Sequence, residues 1–185
     1  MKFAVCRALC ALMLVAACVA PPTAWGASGD LPAGARFESG FSPHGDAQAI
    51  VLHAIASADR QIRVAAYLFT SKSIATALVE ARQRGVDVRV VADAKENRKG
   101  FTAVRYLANE GVPVRLNGRY AIHHDKFMVI DGETVETGSF NFTAAAATKN
   151  AENVLVLYDV KPLAESYLRE WQRLWDEAED MPPAF

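Results

Sequence analysis

From residue 36 onward, apolar and polar positions alternate with the periods of strands and helices. Arg36 to Phe41 reads as a short strand. Between Asp46 and Ala58, apolar residues fall at Ala47, Ile50, Val51, Ala54, Ile55 and Ala58, the spacing of one helix face. Ile62 to Phe69 is a largely apolar strand, and Ser71 opens a helix that runs to Arg84, with a hydroxyl residue as cap and Gly85 as its stop. Val86 to Ala92 is a buried strand, Thr102 to Asn109 a helix ended by Gly111, and Val112 to Leu116 a short strand. Two strands flank Asp131-Gly132, another spans Asn153 to Tyr158, and a last helix runs from about Leu163 to Ala178. On that helix Leu168, Trp171, Leu174 and Trp175 make a stripe that belongs to a core, not to a base-stacking surface. Strands alternating with helices imply right-handed crossovers, and the later hairpin adds antiparallel strands. The expected fold is α/β, with a mixed, largely parallel sheet flanked by helices.

The first 35 residues follow other rules. Ala8 to Ala20 is apolar, preceded by Lys2 and Arg7 and followed by Pro21-Pro22. It is short for a bilayer span and has the length of a signal-peptide core. Ala24-Trp25-Gly26 puts small residues where a signal peptidase reads. Residues 1–26 are therefore expected to be a signal peptide, 27–35 a linker and 36–185 the working domain. Val15-Ala16-Ala17-Cys18 also resembles a lipobox, so a lipid anchor at Cys18 is the other route of processing. Either way the chain is exported, periplasmic or secreted. All three cysteines, Cys6, Cys10 and Cys18, lie in this segment. A mature domain without thiols excludes disulfides, cysteine nucleophiles and cysteine metal sites.

Charge narrows the picture only slightly. The chain has 20 Lys and Arg against 21 Asp and Glu, and without Lys2 and Arg7 the balance is 18 against 21, a net charge of −3. Any surface for a polyanion has to be local. Lys95, Arg98, Lys99 and Arg105 follow a strand end. They read first as a solvated face, and Arg98 and Lys99 are the candidates for a phosphate-backbone contact. His44 and His53 are isolated, His53 as a surface or packing residue.

The informative stretch is His123-His124-Asp125-Lys126-Phe127-Met128-Val129-Ile130-Asp131-Gly132. Asp131-Gly132 between apolar runs predicts a two-residue hairpin loop. Ile130 then pairs with Glu133, Met128 with Val135, Lys126 with Thr137 and His124 with Ser139. Paired residues share a sheet face, as do residues two apart on a strand. His124, Lys126, Ser139 and Asn141 should emerge together at the open end of the hairpin. An imidazole, an ammonium, a hydroxyl and an amide suit a phosphoryl group. Asp131 sits at the turn, roughly 23 Å from His124 along an extended strand. It is expected to be structural. His123 and Asp125 point to the opposite face, so a His-His-Asp metal site is excluded.

His124-Asp125-Lys126, then Asp131, then Gly138-Ser139-Phe140-Asn141 resembles the H-x-K-x4-D-x6-G-S-x-N signature of the phospholipase D superfamily. Ala66-Tyr67-Leu68-Phe69-Thr70, Arg84-Gly85-Val86-Asp87-Val88, Val135 through Thr143 and Thr148 through Asn153 are similar to the small bacterial single-motif endonucleases of that superfamily. The likeness runs from about Phe37 to Trp175. It implies a metal-independent, cofactor-free phosphodiesterase working through a phosphohistidine. In that scheme His124 of one copy attacks phosphorus and His124 of a second copy serves as acid and then base. Lys126 and Asn141 would bind the non-bridging oxygens. Ser139 would support the phosphate and the histidines, and Glu152 would hold an imidazole nitrogen. Without the family, Glu152 reads as a solvated charge at a strand start. Asp131 and Gly138 would be structural members of the motif. One motif per chain implies a homodimer with a shared site. The expected substrate is nucleic acid, DNA and also RNA. A phospholipid, phosphatidylcholine or cardiolipin, is the alternative, and an inactive, lipid-anchored binding module is the reading from another class.

Overall fold

The computed structural model describes residues 26–98, 100 and 102–184. The expected signal segment, Cys18 and Lys99 lie outside them. The elements are β1 (Arg36–Ser42), α1 (Ala47–Ala56), β2 (Gln61–Ala66), α2 (Lys72–Gln83), β3 (Asp87–Asp93), α3 (Ala94–Asn97), α4 (Ala103–Asn109), β4 (Val114–Asn117), β5 (Lys126–Ile130), β6 (Thr134–Gly138), α5 (Ala144–Thr148), β7 (Glu152–Tyr158), α6 (Lys161–Asp176) and β8 (Glu179–Asp180). One eight-stranded sheet has the order β1-β7-β6-β5-β2-β3-β4-β8. The class is as expected, but the parallel part is confined to β2, β3 and β4. Every other pairing is antiparallel. The strand–helix alternation that predicts parallel pairing holds only from β2 to β4. After β4 no crossover helix separates successive strands of the β5-β6 hairpin, so the chain reverses instead.

Two cores form on the two faces. Ile62, Val64, Met128, Ile130 and Val156 pack under α1, α2 and α4. Ala65, Val91, Phe127, Val129 and Val135 pack under α6. The stripe on α6 is core, as expected. Trp171, Leu174 and Trp175 are buried, and the Trp171 indole N–H donates to the Val64 carbonyl at 2.9 Å.

The hairpin departs from its expected register. Its tight turn forms, with Glu133 N–H donating to the Ile130 carbonyl at 3.2 Å. Asp131 and Gly132 both take positive φ, 55° and 76°, as such a turn requires. Glu133, however, turns its carbonyl to Val160 N–H at 2.8 Å, at the entry to α6. It drops out of the ladder as a bulge. Pairing resumes at Ile130 with Thr134, Met128 with Glu136 and Phe127 with Thr137. Each partner is shifted by one residue from the expectation, so the pair that continues this ladder is Lys126 and Gly138.

The shift carries Glu136 onto the face that packs under α1. It pairs with Met128 and Val156, is 1% exposed, and its Oε2 has no hydrogen-bond partner. Burial alone pushes this carboxyl up to about 8. The folded chain therefore keeps a proton that the unfolded chain releases above its ordinary value of 4.5. Stability should fall as pH rises between those values and level off above the higher one. Glu136→Gln should raise the melting temperature by about 5 °C or more at pH 8 and by much less at pH 5. A gain independent of pH in a thermal melt series would contradict this assignment.

Candidate active site

One end of the sheet collects the chemistry. β2, β3 and β6 finish there at Ala66, Asp93 and Gly138, and β5 and β7 start there at Lys126 and Glu152. In α/β sheets with parallel strands, the carboxyl end of those strands is the usual ligand-binding edge.

His124 lies two residues before β5, in a loop rather than on the expected strand, and is exposed. Its ring rests on Tyr67, with centroids 4.6 Å apart and planes tilted by 60°. The Lys126 ammonium stands 5.3 Å from the centroid of the same ring and donates to the His124 carbonyl at 2.7 Å. The lysine is buried. Its pKa is lowered by that burial, while the carboxylates of Asp125 and Glu152 oppose the shift. Tyr67 was not among the expected site residues, although the stretch containing it was part of the resemblance. An aromatic ending an apolar strand is indistinguishable from core in sequence. Its position is set by Asn97, which is wholly buried. The Asn97 amide donates to the Tyr67 carbonyl at 2.6 Å and the Asp93 carbonyl at 2.9 Å, and accepts from Phe69 N–H at 3.1 Å.

A second cluster lies across the β6–β7 edge. Ser139 Oγ donates to Glu152 Oε2 at 2.7 Å and accepts from Asn153 N–H at 3.0 Å. Asn150 holds Glu152 Oε1 at 2.9 Å. The single proton of Ser139 is thus committed to Glu152, and the carboxylate is oriented by Ser139 and Asn150, not by its own His124. Gly138 permits this close approach: a Cβ there would lie 2.1 Å from the Asn153 carbonyl oxygen. The Asn141 Oδ1 is buried without a partner. The loop that carries it is pinned by Phe142, whose carbonyl accepts from Thr70 and Ser71 N–H at 2.9 and 2.8 Å. The structure therefore joins His124 to Lys126 through Tyr67, and Lys126 to Ser139 through the charge of Glu152. Asn141 follows two residues after Ser139 in the chain, and its Oδ1 makes no hydrogen bond with the others among the described residues.

The remaining candidates separate clearly. Asp131 sits at the far end of β5, as expected, where its carboxylate accepts from the backbone N–H of Asp59, Arg60 and Gln61. Arg98 is exposed and paired with Glu179 at 3.0 Å. The Arg105 guanidinium donates to the Pro182 carbonyl. His53 meets Glu38 at 3.3 Å on the surface. His123 is buried on the side away from His124, and among the described residues no group of three His, Cys, Asp or Glu is placed to hold a metal ion. A cleft of about 400 Å³ opens beside the site, between the His124–Phe127 segment and Ser166, Tyr167 and Glu170 of α6. An exposed imidazole beside a buried ammonium can receive a tetrahedral anion and offer it a nucleophile.

Residues 51–175 match the family model described as Cardiolipin synthase, PLD-like domain. The chain is 38% identical over 131 residues to a protein of Rickettsia felis named Phospholipase D, covering 71% of this chain and 65% of that protein. It is 35% identical over 136 residues to the mitochondrial cardiolipin hydrolase of Xenopus laevis, covering 73% of this chain and 64% of that protein. It thus spans a little under two thirds of those relatives. Among solved structures, Nuc from Salmonella typhimurium, a phospholipase D family member, superposes with a TM-score of 0.77 at 46% identity, covering 80% of this chain and 99% of that one. NucT from Helicobacter pylori has a TM-score of 0.69 at 22% identity, covering 79% and 100%, and shows the shared fold alone.

The contact of both side chains with one ring gives a direct test. A ring 4.6 Å away shifts the His124 ring-proton resonances. Tyr67→Phe should leave those resonances in place, whereas Tyr67→Leu should move them toward solvent-exposed values in a histidine-detected NMR spectrum. Identical spectra for the two variants would show that the ring does not hold His124.

Proposed function

We propose that this chain, which belongs to the phospholipase D superfamily, is a metal-independent phosphodiesterase that cuts nucleic acid, two copies of the chain sharing one reaction. The observation that carries this reading is the state of His124. It is exposed beside a cation, and neither ring nitrogen has a hydrogen-bond partner among the described residues of its own chain.

The chemistry needs two imidazoles. The His124 nitrogen of one copy forms a bond to phosphorus while the bond to the leaving oxygen breaks. That oxygen takes a proton from His124 of the second copy. The second imidazole, now neutral, takes a proton from water. The resulting attack on phosphorus breaks the N–P bond and returns both rings to their starting states. Once bonded to phosphorus, one imidazole cannot also protonate the leaving group. His123 is enclosed, and His53 meets Glu38 on the surface. Lys126 and the amide of Asn141 would balance the charge of the non-bridging oxygens. Glu152, held by Ser139, would be positioned to orient an imidazole across the two-fold axis.

The surface supports a second copy. Among the described residues, α6 is the helix that packs on its face of the sheet, mainly over β2 to β6. Phe37 and Phe41 on the β1–β7 margin are 69% and 64% exposed, beside Leu155 and Leu157 on the same face. An exposed apolar margin suits an isologous contact. Nucleic acid is favoured over lipid because the likeness to Nuc spans nearly all of that chain, whereas the lipid-named relatives are matched over a smaller share. Residues 1–26 would direct export, with cleavage before Ala27 or lipidation at Cys18.

Activity on plasmid DNA, RNA and phosphatidylcholine vesicles, compared side by side in EDTA, tests the reading. DNA or RNA should be cut despite the chelator. Loss in EDTA with rescue by magnesium would overturn the mechanism, and turnover of the vesicles alone would shift the substrate to lipid. His124→Asn should lower turnover by about a thousandfold or more with unchanged melting. In mixtures of this variant with wild type, activity should follow the square of the wild-type fraction. A linear dependence would exclude the shared site.

A further inference from the structure

The residue before His124 has no part in that chemistry, yet it is held under unusual conditions. The His123 side chain is wholly enclosed, and neither Nδ1 nor Nε2 has a hydrogen-bond partner. Buried polar atoms without partners are destabilising. A leucine-like residue would fill such a place without that penalty, so packing alone does not account for an imidazole here.

Its surroundings tie it to the site on both sides. The His123 backbone N–H donates to Asp93 Oδ2 at 2.7 Å, and Asp93 Oδ1 accepts from Glu96 N–H at 2.9 Å. The end of β3 and the start of α3 therefore anchor the segment from behind. In front, Nε2 lies 3.5 Å from Asp125 Oδ2, and this carboxylate also acts on Lys126. His123 and Asp125 flank His124 in the chain and meet on the side away from its ring.

We propose that His123 is a positioning residue: its enclosed imidazole, facing Asp125, sets the segment from which His124 and Lys126 project. The proposal rests on the reading that His124 carries the chemistry. At 3.5 Å the Nε2–Asp125 approach is not a hydrogen bond but an electrostatic contact, the nearest polar neighbour of an otherwise unpartnered ring, and it places the carboxylate beside Lys126. Without that contact the segment from His123 to Lys126 loses its fixed setting, and the His124 ring and the ammonium are no longer held for a phosphodiester. The charged groups facing the ring are Asp125 from its own segment, Asp93 from β3, and Glu170 and Arg173 from α6. Burial holds the imidazole below its ordinary pKa, and it does so against the three carboxylates.

Steady-state hydrolysis of bis(4-nitrophenyl) phosphate by the assembled protein tests this. The set is wild type, His123→Ala, His123→Gln, Asp125→Asn, the His123→Ala/Asp125→Asn double variant and His124→Asn. His123→Ala should lower kcat about tenfold with little change in KM. His123→Gln, which keeps an N–H donor, should recover most of the loss. The double variant should be no worse than the more affected single one, since both remove one contact. A folded His123→Ala with wild-type kcat, or losses that multiply in the double variant, would overturn the proposal. Should His123→Ala not fold, Asp125→Asn decides, and an unchanged kcat there is the adverse result. An active His124→Asn would instead strike the catalytic reading itself. An inactive His124→Asn with unaffected His123 variants would strike only this inference.

Discussion

The carboxylate of Asp131 is the constraint on which the site depends, although it lies at the opposite end of β5. It accepts from the backbone N–H of Asp59, Arg60 and Gln61 at 2.8 to 2.9 Å, while its own N–H donates to the Gln61 carbonyl at 2.9 Å. The turn is thereby bound to the first residue of β2. That contact sets β5 against β2 with Ile62 opposite Ile130 and Ala66 opposite Lys126. A slip of one residue would turn Lys126 to the α6 face and remove it from Tyr67. Burial works to raise the Asp131 pKa, but the three backbone donors and Arg60 outweigh it and hold the carboxyl below its ordinary 3.8. Its stabilisation is present above that value and is lost only as pH falls through the lower, folded one.

This explains which parts of the chain were legible beforehand. The periodic segments gave the main helices and strands to within a few residues, because each buries one face and little else competes. The turn at Asp131-Gly132 was also readable, since both positions require positive φ. The bulge at Glu133 was not. It exists because the Glu133 carbonyl is claimed by Val160, a partner 27 residues away in the chain, and no local pattern announces such a claim. α3, α5 and β8 were missed for a related reason. They are too short to show a period and are fixed by capping and edge contacts, such as Thr143 accepting from Ala146 N–H at 3.0 Å.

The site divides along the same line. His124, Lys126, Ser139, Asn141 and Glu152 were expected from residue types and motif, and the structure gathers them at one end of the sheet. They share that end even though the register that suggested it was off by one, because the sheet end tolerates a shift that its interior does not. Roles inside the group were less legible. The proton of Ser139 goes to Glu152, and Glu152 is turned by Ser139 and Asn150. Tyr67 is the residue touching both His124 and Lys126, yet only the buried Asn97, from a four-residue helix, makes it a site residue rather than core.

A sheet covered on one face by several helices and on the other by a single helix is asymmetric in a way that bears on the chemistry. α6 spans β2 through β6 and stops short of β1 and β7. The uncovered margin lies next to Ser42 and Glu152, which pair across it at the catalytic end. If that margin were closed within the chain by another helix, the Glu152 carboxylate and the His124 ring would be walled off from a second copy. Leaving it open exposes Phe37 and Phe41, at a cost in solvent contact for two large apolar side chains. In the proposed dimer, association would recover that cost at the end of the sheet that holds His124.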